Sequence, residues 1–109
     1  MLLNRDAANL LGLMVRAGAL VSGSQVLPAV RQKQAVLVLL ASDSSQGTQK
    51  QVTDKCHYYQ VECLMVEDSE ALSTAIGKHN RKSVAILNAG FAKKLKEKLG
   101  VGEENGETK

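Results

Sequence analysis

Ala35-Val36-Leu37-Val38-Leu39-Leu40-Ala41 is an unbroken apolar run with no polar residue to mark a solvent face. A strand with one wet face alternates apolar and polar positions, whereas a strand covered by helices on both faces reads as continuous apolar sequence. This stretch is therefore expected to be a central strand between two helix layers.

The flanks support that reading. Upstream, Ser22-Gly23-Ser24-Gln25 opens a helix. Ser22 and Gln25 have capping-box spacing, and Ser24 is the other candidate cap. Pro28 would sit inside a helix begun at Ser22 and delete a backbone bond. The expected form is an irregular first turn around Gly23 with regular helix from about Leu27 to Gln34, Arg31 and Lys33 projecting outward. Downstream, Ser42 to Gly47 is a small-residue loop at the strand's carboxyl end, the edge where ligands bind in open α/β sheets. A helix from about Thr48 to Tyr59 follows, with Val52, Cys56 and Tyr59 on one face and Gln49, Lys50 and Lys55 on the other. Val61 to Val66 is the next strand.

Leu2 to Ala17 shows helical spacing through Leu10, Leu13, Met14 and Ala17, continued by Leu3 and Ala7, with Asn4 as cap and Gly18 as stop. Ala19 to Val21 is a further short strand. Ser69 caps a helix from Glu70 to Ile76, Val84 to Leu87 is a strand, and Asn88-Ala89-Gly90 is a turn. Phe91 to Leu99 is an amphipathic helix with Phe91, Leu95 and Leu99 inward and Lys93, Lys94, Lys96 and Lys98 outward. Alternating strands and helices give an α/β fold: a three-layer α-β-α sandwich around a small mixed sheet of about four strands. One domain is expected over residues 1–100, with 101–109 a disordered acidic tail.

The 109-residue length suits one domain that needs neither disulfide nor metal to bury a core. Net charge is +3. The last nine residues hold Glu103, Glu104 and Glu107 against Lys109, so the remainder has 13 basic and 8 acidic residues, a net +5. That bias points to a polyanionic partner, short of a nonspecific DNA coat. Aromatics make up only 3%, namely Tyr58, Tyr59 and Phe91, which disfavours a binder that stacks single-stranded bases. Recognition by shape, backbone and hydrogen bonds is left. Two cysteines make no disulfide scaffold, no signal peptide is legible at the amino terminus, and no apolar run approaches a bilayer span. A cytoplasmic protein with reduced thiols and no membrane partner is expected.

Ala75-Ile76-Gly77-Lys78-His79-Asn80-Arg81-Lys82-Ser83-Val84-Ala85-Ile86-Leu87 concentrates the positive charge. Gly77 suits the left-handed position that ends a helix, and the polar turn is held between two core elements. Lys78, Arg81 and Lys82 on that mount are suited to phosphates, although a single such loop is more often merely solvated.

Several segments together resemble the bacterial YlxQ proteins: Leu11-Gly12-Leu13 through Arg16-Ala17-Gly18, Val21-Ser22-Gly23, Ala35 to Ala41, Val52 to Cys56 with Tyr58-Tyr59, Ile76-Gly77-Lys78, and Gly90 to Leu95. Through them the chain resembles the larger family of archaeal and eukaryotic ribosomal proteins that bind kink-turn RNA. The likeness spans about Leu10 to Leu95. It implies the three-layer fold and a non-catalytic, ribosome-associated RNA-binding role, with structured RNA and ribosomal proteins as partners and no reading of DNA sequence. It also implies RNA contacts at the glycine-led start of helix two, here Gly23, Ser24 and Gln25. The lysine common further along that helix is absent, since Pro28 or Ala29 falls near its place. The second contact region is the loop before the last strand, from Gly77 to Lys82, and Asp43 matches an acidic position that shapes the RNA-facing surface. Arg31 and Lys33 complete the candidate set. The protein is expected to be a monomer.

Catalysis finds little footing. Cys56-His57 and Cys63 lack the paired spacing of zinc ligands, and neighbours on a helix point about 100° apart. No Gly-rich phosphate loop occurs. No catalytic residue, metal or cofactor is assigned. The alternative reading is a small enzyme or metabolite-binding module using the loop Ser42 to Gly47.

Overall fold

The computed structural model describes residues 1–101; the acidic tail expected at 101–109 lies outside them except for Val101. The elements are α1 (Arg5–Arg16), β1 (Leu20–Ser22), a 3-10 turn at Gly23–Gln25, α2 (Val26–Arg31), β2 (Leu37–Ala41), α3 (Gln46–Tyr59), β3 (Glu62–Val66), α4 (Ser69–Ala75), β4 (Ser83–Ile86) and α5 (Ala89–Lys98). The sheet order is β1-β4-β2-β3. β2 pairs parallel with β3 and antiparallel with β4, and β1 pairs antiparallel with β4. The sheet is mixed and four-stranded, as expected.

Every residue of β2 and of β4 is buried. Because side chains alternate across a strand, Leu37 and Leu39 of β2 join Val84 and Ile86 of β4 under α1, α4 and α5. Val38 and Leu40, with Ala85, face α2 and α3. Leu64 of β3 packs on the first side and Cys63 and Met65 on the second. The apolar run thus contributes to two separate cores.

Four local readings change. On α1 the buried stripe is Ala7, Leu10, Leu11 and Met14, while Leu13 is 45% exposed and Ala17 lies on the surface. α2 stops at Arg31 rather than Gln34, because Lys33 turns left-handed at φ 60° and Gln34 and Ala35 both donate to Ala29 O. Pro28 falls in the first turn of α2, where its missing N–H has no intrahelical acceptor to lose. Asp68, not Ser69, caps α4 by accepting from Glu70 N at 2.9 Å, and Asn88 begins α5 by accepting from Phe91 N at 2.9 Å. Asn4 does cap α1, accepting from Ala7 N at 2.8 Å.

Truncating Leu39 to Ala should cost about 2–5 kcal/mol, a large part of the roughly 5–15 kcal/mol of a typical domain. Val36→Ala, one residue before β2 and 40% exposed, should stay within about 0.5 kcal/mol. Urea unfolding midpoints of the two variants check the contrast.

Candidate functional site

The carboxyl ends of β1 and β2 and the amino end of β4 meet at one edge of the sheet, since Ser22 pairs with Val84 and Leu40 with Ser83. The turn leading into α2 and the turn between α4 and β4 therefore rise from neighbouring strands. Between them lies a groove of about 560 Å³. Val15, Leu20, Val21 and Ile76 give it an apolar floor, and Ser22, Gly23, Ser24, Gln25, Lys78, Asn80 and Arg81 form its polar walls. No carboxylate is among these lining residues.

The second wall is fixed from beneath. Ser73, on the inward side of α4 and 3% exposed, accepts from Arg81 N at 2.7 Å and donates to Arg81 O at 3.1 Å. Gly77 N and Lys78 N donate to Thr74 O and Ser73 O, and Gly77 takes φ 70° as helix-stop glycines do. Asn80 also lies at positive φ, 56°, a conformation Asn tolerates better than most residues.

Arg81 joins the two walls. Its Nε donates to Ser22 Oγ at 3.2 Å and its Nη1 donates to His79 O at 3.0 Å. Gly23 makes room for this contact: its φ is 59°, and a Cβ there would lie 3.3 Å from Arg81 Cδ. Ser22 caps no helix N–H, nor does Ser24; the Ser22 hydroxyl is engaged across the groove instead.

The other candidate residues are distributed differently. Lys82 turns away from the groove and donates to Ser69 Oγ at 3.1 Å. Asp43, on the same side, accepts from Ser69 Oγ at 3.0 Å and from Ser69 N at 3.2 Å, tying the loop after β2 to the start of α4. Loss of solvent works against ionisation of Asp43, but the Ser69 hydroxyl, the Ser69 N–H and the Lys82 charge outweigh it and hold the carboxyl below its ordinary value. Arg31 and Lys33 are exposed at the far end of α2, about 12 Å along the helix axis from Gly23. Lys96 pairs with Glu62 at 2.6 Å, whereas Lys93, Lys94 and Lys98 stay on the outer face of α5.

In the loop Ser42 to Gly47 only Ser44 is buried, and several polar groups are engaged locally. Ser44 Oγ donates to Ala41 O, Ser45 Oγ accepts from Thr48 N, and Gln49 Nε2 donates to both Ser42 O and Ser44 O. Cys56, in the last turn of α3, is buried in the second core with the half-buried Cys63 packed against it, and the neighbouring Cys56 thiol, with burial, pushes Cys63 above the usual thiol range. His57 is exposed beside them, and no group of three metal-ligating side chains forms among the described residues.

The apolar floor was not legible as part of a site, whereas Asn80 lies within the loop from Gly77 to Lys82 that the resemblance marks as a contact region. Asn80 carried a signal, an Asn in a tight polar turn. Val15, Leu20, Val21 and Ile76 read as ordinary core.

A family model described as the ribosomal protein L7Ae/L30e/S12e/Gadd45 family matches residues 5–96. The RNA-binding protein YlxQ of Bacillus subtilis (strain 168) is 48% identical over 87 residues, covering 79% of this chain and 87% of that protein. The RNA-binding protein YlxQ of Enterococcus faecium is 42% identical over 94 residues, covering 85% and 90%. A solved structure of a protein of unknown function from Bacillus halodurans C superposes with a TM-score of 0.83 at 38% identity, covering 90% of this chain and 100% of that one. The 15.5kD RNA binding protein of Giardia lamblia, 19% identical, superposes with a TM-score of 0.71 over 89% of this chain and 88% of its own, a likeness of fold.

Ser73→Ala leaves the Arg81 N–H and C=O without their partner and should lower stability by about 1–3 kcal/mol. Hydrogen exchange should accelerate at Arg81 while the β2 amides keep their protection.

Proposed function

We propose that this chain, which belongs to the ribosomal protein L7Ae/L30e/S12e/Gadd45 family, is a non-catalytic RNA-binding protein whose ligand is a kink-turn or a similar bent internal loop. One observation supports the site assignment above others: the glycine-led entry to α2 and the cationic turn form the two walls of a single groove. A bent RNA presents a base edge and a backbone close together, and these walls offer one kind of contact for each. Ser24 and Gln25 carry neutral donors and acceptors suited to base edges. Lys78 supplies the mobile positive charge that phosphate contact needs. Gly23 leaves the room at the groove wall that the Arg81 side chain occupies. Asn80 extends the polar wall.

Lys82 and Asp43 act indirectly, by holding the loop after β2 against α4. Arg31 and Lys33 lie beyond the groove and would meet only the outer part of a longer RNA stem. The named function of the YlxQ relatives, RNA binding, agrees with this reading. No described helix is long and apolar enough to cross a membrane. The same reading places the chain in the cytoplasm as a monomer, with ribosomal RNA as its ligand and ribosomal proteins as neighbours.

Binding of a kink-turn hairpin and of a plain RNA duplex, measured across a salt series, tests the proposal. The kink-turn should bind more tightly at every salt concentration. Lys78→Ala should lower the salt slope for the kink-turn by about one unit. Equal affinity for the two RNAs would remove the structural part of the assignment.

A further inference from the structure

The charge on Arg81 is of a different kind from that on Lys78. An arginine has five N–H donors in a planar fork. Here Nε is taken by Ser22 Oγ and one N–H of Nη1 by His79 O. Among the described residues Nη2 makes no hydrogen bond. The backbone of Arg81 is held at both its N–H and its C=O by Ser73. Backbone and guanidinium are thus each fixed at two points, and the plane of the fork is set before any ligand arrives. With Nε committed, the side-on pair of Nε and Nη2 is closed, and the donor pair left for a ligand is Nη2 with the second N–H of Nη1. Arg81 lines the groove, so that pair is available to a ligand seated there.

We propose that Arg81 is a specificity-determining residue that recognises two adjacent acceptor atoms of the RNA through its outer N–H pair, with Ser22 and His79 O setting the plane. This rests on the RNA-binding reading above and gives the groove a geometric selectivity beyond point-charge attraction. Two RNA groups match a planar donor pair, the O6/N7 edge of guanine and two oxygens of one phosphate. The shared chemistry is the acceptor pair. A lysine cannot substitute, because its ammonium is a point charge without a fork. Gly23 belongs to the device, since a side chain there would press on Arg81 Cδ and tilt the plane.

The test uses the full chain and the same kink-turn hairpin. Arg81→Lys keeps the charge and loses the fork; affinity for the kink-turn should fall about 5- to 150-fold, the range for one bidentate pair, with the salt slope and duplex affinity unchanged. Ser22→Ala keeps the arginine and releases Nε; it should lose part of that affinity, again without change in slope, and it guards against a folding defect in the first variant. Guanines replaced one at a time by 7-deazaguanine, and phosphates by methylphosphonate, separate the two sources. One position should weaken the wild type several-fold and add nothing to Arg81→Lys. Wild-type affinity in Arg81→Lys, or modification losses that all add to it, would overturn the proposal while leaving RNA binding standing. A wild-type chain that cannot tell kink-turn from duplex would overturn the RNA-binding reading first.

Discussion

A single buried hydroxyl organises the edge of the sheet where the groove lies. Ser73 faces inward from the seven-residue helix α4 and bridges the N–H and C=O of Arg81. Backbone polar groups at a partly buried position must be paired or they oppose folding. A turn of Gly and polar residues has no means of pairing them internally. Ser73 satisfies both and in doing so fixes where the chain enters β4. The side chain of Arg81 is then aimed across the sheet edge at Ser22, and the two walls of the groove become one unit.

That arrangement separates two roles that composition alone merges. Three cations stand in the turn, yet they face three different environments. Lys78 is exposed on the groove, Arg81 is clasped by neutral oxygens within it, and Lys82 points to the Asp43–Ser69 contact on the other side. A net charge of +3 is modest for a polyanion binder, so attraction at long range is limited. On the proposed reading, selectivity comes from fixed donors and acceptors and from shape, and the groove's apolar floor, hydroxyl and amide groups and oriented guanidinium are suited to that.

The fold was legible where the signal is local and redundant. Leu37 to Ala41 of the apolar run form the strand covered on both sides, with Val36 just before it exposed, and Gly18 and Gly77 marked helix ends that the backbone confirms, both at φ 70°. Helix α1 was harder, because Leu11 and Leu13 are both apolar and two overlapping stripes satisfy the same periodicity. Packing against the sheet selects Leu11. Ser22 gives the sharper lesson. Its spacing to Gln25 matches a capping box, a pattern read within four residues, but its hydroxyl partner is Arg81, 59 residues away. Side-chain bonds between distant segments leave no periodic trace, so the glycine entry and the cationic turn could each be named while the link between them could not.

Backbone chemical-shift mapping during titration with a kink-turn hairpin addresses the shared groove most directly. Amides of Gly23, Ser24, Gln25, Lys78, Asn80 and Arg81 should shift together along one saturation curve, with those of Ser42 to Gly47 and the outer face of α5 little changed. Perturbations centred on α5, or on one wall of the groove without the other, would contradict the account.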